Sequence, residues 1–204
     1  MKLLNIKEHT FIDKGFEENK PIIIDLGACL GEFTLSVSEI FGGIEKSVLI
    51  EANPTNFNQI KSIPNSIKLN AFVSPDSEGF QKFREDPNSP YNGTSFFDYF
   101  DGAIQHEIKR ISIEQILNDY NIERVDILKI DIEGAEYELL ENLDSTILEK
   151  IDQITVEFHD FLDPMLKKRT ENLVQRIKSF GYSVINNKID YKHGSEYYDT
   201  LFYK

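Results

Sequence analysis

A single cysteine, no tryptophan and a shortage of basic residues set the first limits on this chain of 204 residues. One cysteine, Cys29, permits no internal disulfide and rules out a cysteine-based zinc site. The 22 lysines and arginines against 35 aspartates and glutamates leave a formal net charge of −13. Nucleic-acid affinity comes largely from basic contacts to phosphate, so that charge disfavours a nucleic-acid partner. An anionic membrane surface is disfavoured for the same reason. No apolar run approaches the ~20 residues of a membrane-spanning helix, and residues Met1 to Glu8 lack the apolar core of a signal peptide. The expectation is a soluble, cytoplasmic protein.

What is present argues for one packed domain. An apolar share of 40% and an aromatic share of 12% are those of a globule rather than a disordered chain. The length suits a single core. There are no repeats, low-complexity tracts or internal linkers. Residues 1–20 carry scattered apolar positions (Leu3, Leu4, Ile6, Phe11, Ile12, Phe16) without a long period, which predicts a short leader packed on a domain spanning 21–204.

The domain is organised around Ile22-Ile23-Ile24-Asp25-Leu26-Gly27-Ala28-Cys29-Leu30-Gly31. Three β-branched residues in a row suit a buried strand. Gly27 and Gly31 then make a turn, and Phe33, Val37, Ile40 and Phe41 recur at helical spacing until Gly42-Gly43. Strand, glycine turn and helix in that order place a ligand site at the carboxyl edge of an open α/β sheet. Further strands are predicted at Ser47–Ile50, Ile67–Val73, Val125–Ile132 and Ile154–Phe158. A helix is expected from about Thr55 to Lys61, another begins after Ser112 as its cap, and a third follows with Leu139, Leu140 and Leu143 inward. A further helix carries Leu166, Leu173, Val174, Ile177 and Phe180 on one face and stops at Gly181. Residues Tyr182–Ile185 and Tyr197–Tyr203 form a closing strand pair. Alternating strands and helices imply βαβ units and a parallel sheet.

The stretch 74–110 breaks this rhythm with Pro75, Pro87 and Pro90, three glycines and the aromatics Phe96, Phe97, Tyr99 and Phe100. Its pieces Phe80–Arg84 and Gln105–Ile111 alternate as antiparallel strands do. A long turn-rich excursion inside a compact domain points to a substrate-side lid. A surface hairpin packed by its own aromatics is the plain alternative.

Three constellations carry chemistry. The first is Asp25-x-Gly27-x-x-x-Gly31 with Glu51, which lies where a dinucleotide fold puts the acid that holds ribose hydroxyls. The turn lacks the full G-x-G-x-x-G pattern, because Cys29 stands where the second glycine would be. A pyrophosphate therefore fits less well than a cofactor without phosphates, such as S-adenosylmethionine; an NAD-dependent oxidoreductase is the rival. The second is Lys129-Ile130-Asp131-Ile132-Glu133-Gly134-Ala135-Glu136. Asp131, at the end of a central strand, can face the sulfonium, orient an acceptor hydroxyl or take its proton. The third is Glu157-Phe158-His159-Asp160, in which His159 titrates near neutrality and is a candidate general base. Asp131, Glu157 and His159 are also of the types that hold a metal, although their spacing neither supports nor excludes one and no metal site is assigned.

These stretches, with Ile50-Glu51-Ala52-Asn53-Pro54 and Val156-Glu157-Phe158-His159, resemble the FkbM family from about Pro21 onward. The resemblance implies a class I, Rossmann-like methyltransferase fold: a mostly parallel twisted sheet with an antiparallel C-terminal strand pair and helices on both faces. It implies S-adenosylmethionine as cofactor and, for most members, O-methylation of natural products or glycans. By it Asp25, Gly27, Ala28 and Gly31 line the methionine end of the cofactor, Glu51 holds the ribose, Asn70 and Ala71 lie near the adenine, and Asp131 lies near the methyl. Glu157 and Ser95 are candidate contacts to a small-molecule or saccharide acceptor. The family usually has Asn where this chain has Cys29. A thiol near a helix start is a candidate for a lowered pKa, a buried inert thiol being the plainer expectation. The alternatives are metal-assisted O-methylation and a non-catalytic domain that binds a cofactor or partner.

Overall fold

The computed structural model describes residues 2–88, 93–94, 102–161, 163, 165–190 and 196–204. Side chains at 93, 94, 187–190 and 196–198 are outside the description. The core sheet has seven strands: β3 (Ile22–Leu26), β4 (Lys46–Glu51), β5 (Ser66–Asn70), β10 (Ile127–Ile130), β11 (Gln153–Glu157), β12 (Ser183–Asp190) and β13 (Glu196–Tyr203). Their order is β12-β13-β11-β10-β3-β4-β5. All neighbours from β11 to β5 pair in parallel, whereas β13 runs antiparallel to both β11 and β12. This is the Rossmann-like methyltransferase architecture expected from the sequence.

The chain starts in the middle of the sheet at β3, steps outward to β4 and β5, then returns to the other side at β10. The order therefore reverses between β3 and β10, and a crevice opens there at the strands' carboxyl ends. Both faces are covered, which is why these strands read as nearly unbroken apolar runs. Ile24 and Leu26 of β3 point into one core with Leu128, Ile130, Ile154 and Val156. That core is closed by α3 (Ile113–Asp119), α4 (Glu136–Asn142), α5 (Ser145–Glu149) and α6 (Leu166–Ser179). Ile23 points the other way, toward Phe33, Val37 and Phe41 of α1 (Glu32–Phe41). Ile40, counted with that helical face in the sequence, is instead exposed, as Phe180 is in part at the end of α6. The caps fall where chemistry asks for them: Ser112 Oγ accepts from Gln115 N, and Gly42 ends α1 at φ 68°.

Residues 2–13 form a hairpin, β1 (Lys2–Ile6) and β2 (His9–Asp13), with Phe11 and Ile12 buried, as is Phe16 just after it. It is held to the sheet by side chains rather than by strand pairing. Gln153 accepts from Ile12 N at 2.6 Å and donates to Ile12 O at 2.9 Å, while Thr10 N donates to Asp199 Oδ2 at 2.7 Å. The sequence could not show this, because the anchors lie on β11 and β13.

The expected third strand, 67–73, divides into β5 and β6 (Phe72–Val73). Asn70 causes the break: its amide donates to Glu51 O and Ala52 O, turning the chain into a second sheet. That sheet has the order β6-β9-β7-β8, with β7 (Phe80–Glu85) antiparallel to β9 (Ile104–Ile111) and to β8 (Gly93–Thr94). The expected antiparallel pieces are thus present. The aromatics Phe96, Phe97, Tyr99 and Phe100, and Ser95, lie outside the described residues. Helix α2 covers only Pro54–Phe57, because Ile60 and Ile63 turn inward under α1 instead of continuing it. No helix among the described residues is long and apolar enough to cross a membrane.

Candidate active site

The crevice is a cleft holding about 700 Å³ of empty space, open solvent included. Its wall includes Gly27, Cys29, Glu51, Asn53, Asn56, Ala71, Phe83, Asp131 and Glu133. Phe83 comes from β7, so the 74–110 excursion supplies one wall of the cleft.

Gly27 begins the turn at φ +72°. A Cβ there would lie 1.7 Å from the Asp131 carbonyl oxygen, so only glycine lets β3 and β10 end this close together. The amides of Gly27 and Ala28 both donate to Ile50 O at 3.0 Å. Glu51 closes the other side. Its Oε2 accepts from Cys29 N and its Oε1 from Asn53 N, each at 2.7 Å. Burial pushes this carboxyl up to about 7, against the pull of the Asn53 and Cys29 N–H groups. One side chain therefore fixes both loops while presenting its remaining lone pairs to the cleft.

Cys29 adopts φ +50°, a conformation that Asn tolerates far better than other residues with a side chain. The family's usual Asn thus has a backbone reason. Burial first, and Glu51 second, push the thiol pKa up, which agrees with the plainer expectation of an inert thiol and not with a lowered pKa near a helix start. Cys29→Asn is expected to stabilise the protein by about 0.5–1 kcal/mol through relief of this strain. A thermal melt compared with the parent measures it, and an unchanged or lower midpoint refutes the strain.

Several expected cofactor contacts act one layer below the cleft. Asp25 does not line it: the side chain is fully buried, accepts from Thr34 Oγ1 at 2.8 Å and lies 3.5 Å from Lys129 Nζ. Ala28 is packed among Phe33 and Val37. Gly31 caps α1, where a Cβ would press on Ile60 and Leu49 at 3.0 and 3.2 Å. Asn70 holds the end of β4, as described above, and only Ala71 of that pair faces the cleft. These corrections share one cause: a turn this tight needs its own supports, and those supports occupy the neighbouring positions.

Lys129 is the hub of the charges. Its Nζ is buried, donates to Gly27 O at 2.6 Å and Leu26 O at 3.3 Å, and lies 3.5 Å from both Asp25 and Asp131. Burial opposes its charge, but Asp131 and Asp25 outweigh that and raise its pKa. Asp131 is 27% exposed, with Oδ2 3.5 Å from Lys129 and 3.7 Å from His9 Nε2. Its carboxyl is held well below the usual range: burial opposes ionisation, yet Lys129 and His9 prevail. A carboxylate so stabilised is a weak proton acceptor and keeps its negative charge.

His159 is not a free base. It is 3% exposed, with Nδ1 3.0 Å from Glu136 Oε1 and Nε2 3.5 Å from Glu133 Oε2. Burial would lower its pKa, but Glu136 and Glu133 raise it well above 6.5, so it holds its proton near neutrality. Glu136 in turn accepts from Ile132 N and Gly134 N, shaping the loop after β10. Glu157, at the end of β11, is pushed up to about 8 by burial and by Asp131. Asp131, Glu157 and His159 do not form one cluster. Asp131 groups with Glu157 and His9 on one side and with Glu133 and His159 on the other. His9 is the participant that sequence reading missed, since it belongs to the N-terminal hairpin and no local motif marks it. Asn56 is another: it faces the cleft with a buried, unpartnered Oδ1.

The sequence matches the Methyltransferase FkbM domain over residues 25–184. The chain belongs to the FkbM methyltransferase family. An 82-residue stretch of this FkbM chain is 33% identical to the AMB antimetabolite synthetase AmbE of Pseudomonas aeruginosa, covering 40% of the chain and 4% of AmbE. Methyltransferase sdnD of Sordaria araneosa is 24% identical over 176 residues, covering 68% of the chain and 66% of sdnD. The crystal structure of methyltransferase FkbM from Methylobacillus flagellatus shares the fold at a TM-score of 0.57 and 16% identity, over 91% of this chain and 44% of that one. The chain spans less than two thirds of the length of each of these proteins. The FkbM family uses S-adenosylmethionine, and the cleft suits that group: Gly27 leaves room at the turn, Glu51 presents a carboxylate, and Asn56 offers an unsatisfied amide oxygen.

Proposed function

We propose that this chain is an O-methyltransferase that acts on a hydroxyl of a small molecule or saccharide. The observation that carries it is the convergence of Gly27, Glu51 and Asp131 on one cleft at the sheet's switch point. When bound, S-adenosylmethionine supplies an electrophilic methyl group on a good leaving group. Glu51 would hold the ribose hydroxyls, Gly27 the methionine end, and Ala71, Phe83 and the Asn56 amide the adenine. Asp131 sets a fixed negative charge beside the transferring methyl. The chain's main contribution is alignment, which is worth ~7–11 kcal/mol in well-oriented reactions.

An oxygen acceptor is supported by the charges around Asp131. Imidazolium groups at His9 and His159 favour an oxygen that sheds a proton and repel an ammonium. Glu157 would touch the acceptor. Incubation with S-adenosylmethionine and a mixed panel of alcohols, sugars and amines, read by mass spectrometry, tests the reading. Methyl ethers are expected; methylated amines alone would refute it.

Glu51→Ala is expected to weaken S-adenosylhomocysteine binding about 10–100-fold, the loss of charge-assisted hydrogen bonds worth ~1.5–3 kcal/mol. The same residue sets a pH dependence. Ribose hydroxyls donate best to the ionised carboxylate, so binding favours loss of the Glu51 proton and affinity rises with pH through a midpoint near 7. Calorimetry from pH 6 to 8 should show that rise in the parent and a flat profile in Glu51→Gln. A parent profile as flat as the variant's would remove Glu51 from the ribose.

A further inference from the structure

We propose that His9, Asp131 and Glu157 bind a divalent first-row cation such as Mn²⁺ at the acceptor end of the cleft. One imidazole nitrogen and two carboxylate oxygens, all within 4.8 Å of one another, converge there from β2, the end of β10 and β11. Bonds of about 2.1 Å around one ion place adjacent ligands roughly 3 Å apart, so small side-chain movements close the site.

The hydrogen bonding of these residues points to a ligand. His9 is only 3% exposed and its Nδ1 has no hydrogen-bond partner; an ion on Nε2 would take the place of the proton that Asp131 and Asp199 hold on the ring. Nε2 stands 3.7 Å from Asp131 Oδ2, and Nδ1 stands 3.7 Å from Asp199 Oδ1. A buried imidazole left this way is costly unless something else engages it. Among the described residues the Glu157 carboxylate accepts no hydrogen bond, and the Asp131 carboxylate meets His9 and Lys129 only at ion-pair distances of 3.7 and 3.5 Å. Behind His9, Asp199 is fully buried and fixed by Thr155 Oγ1 at 2.9 Å and Thr10 N at 2.7 Å. A carboxylate behind one nitrogen, with the other aimed at acidic ligands, is the arrangement that orients metal-binding histidines. Lys129 also approaches Asp131, but its hydrogen bonds go to the Gly27 and Leu26 carbonyls and its charge is shared with Asp25. Two carboxylates balance a doubly charged ion, and one nitrogen with two oxygens suits Mn²⁺ or Zn²⁺ better than a purely oxygen-loving ion.

Three protein ligands leave coordination positions open, and an acceptor hydroxyl bound there would lose its proton to solvent more readily. That role rests on the methyltransferase reading; the site itself does not. The test is therefore titration of the full chain with MnCl₂ alone, following the paramagnetic resonance signal of the free ion. One bound ion is expected, with affinity at least tenfold weaker in His9→Asn and in the near-isosteric Glu157→Gln. Circular dichroism confirms that the variants fold. No binding at millimolar Mn²⁺, equal binding in both variants, or a loss that follows His159→Asn instead would each overturn the assignment. S-adenosylhomocysteine affinity, measured on the same samples without metal, separates this failure from a failure of the methyltransferase reading.

Discussion

Replacing Asp131 with Asn is expected to lower methyl-transfer turnover by roughly 10²–10³-fold, the usual cost of removing one preorganised charge from an active site. The substitution keeps size and shape and removes only the negative charge beside Lys129 and His9. Lys129 retains Asp25 and two backbone carbonyls, so the turn stays in place. S-adenosylhomocysteine carries no sulfonium, so its affinity is expected to stay within about threefold, or ~0.7 kcal/mol. S-adenosylmethionine should lose more affinity than its product does. A general base would behave differently: turnover would fall while the ratio of the two affinities stayed fixed. Single-turnover rates and paired calorimetric titrations distinguish the two, and parental turnover in Asp131→Asn would sink both.

Gly27→Ala is expected to be the most disruptive single substitution in the cleft. The new methyl carbon would sit 1.7 Å from the Asp131 carbonyl oxygen, and the residue must keep φ +72°. Neither partner can yield easily. Asp131 N donates to Leu26 O at 3.1 Å, while Gly27 N donates to Ile50 O at 3.0 Å, so the ends of β10, β3 and β4 are tied together. Overpacking and backbone strain together should cost about 3–5 kcal/mol. In a domain of this size that is a fall in melting temperature of roughly 10 °C. Cofactor affinity should fall with it, because the turn and the Asp131 loop must part. A melting point within 2 °C of the parent would mean that the crevice tolerates a wider opening than its hydrogen bonds imply.

Much of the site was legible because it lies at strand ends. Gly27, Glu51, Asp131 and Glu157 each follow a short apolar run, and parallel strands buried on both faces announce themselves as such runs. Knowing which strands lie in the centre then brings those four residues to one edge. What was not legible depends on residues far apart in sequence. Asp25 reads as a cofactor contact and proves to be a buried support for Thr34 and Lys129. His159 reads as a base with a pKa near neutrality, and the fold pairs it with Glu136 and Glu133, so it keeps its proton.

The sequence alone determined the fold class, the glycine turn with its acid on β4, and the Asp131 loop, because periodicity and turn chemistry are local. Only the tertiary structure decided the protonation of the site and the presence of His9 in it. The N-terminal hairpin has no long period of its own; Gln153 and Asp199 capture its backbone from the opposite end of the chain. Charge states follow the same rule, since each pKa in the cleft is set by burial and by partners on other strands. Local pattern can name a residue, but its charge and its neighbours belong to the assembled sheet.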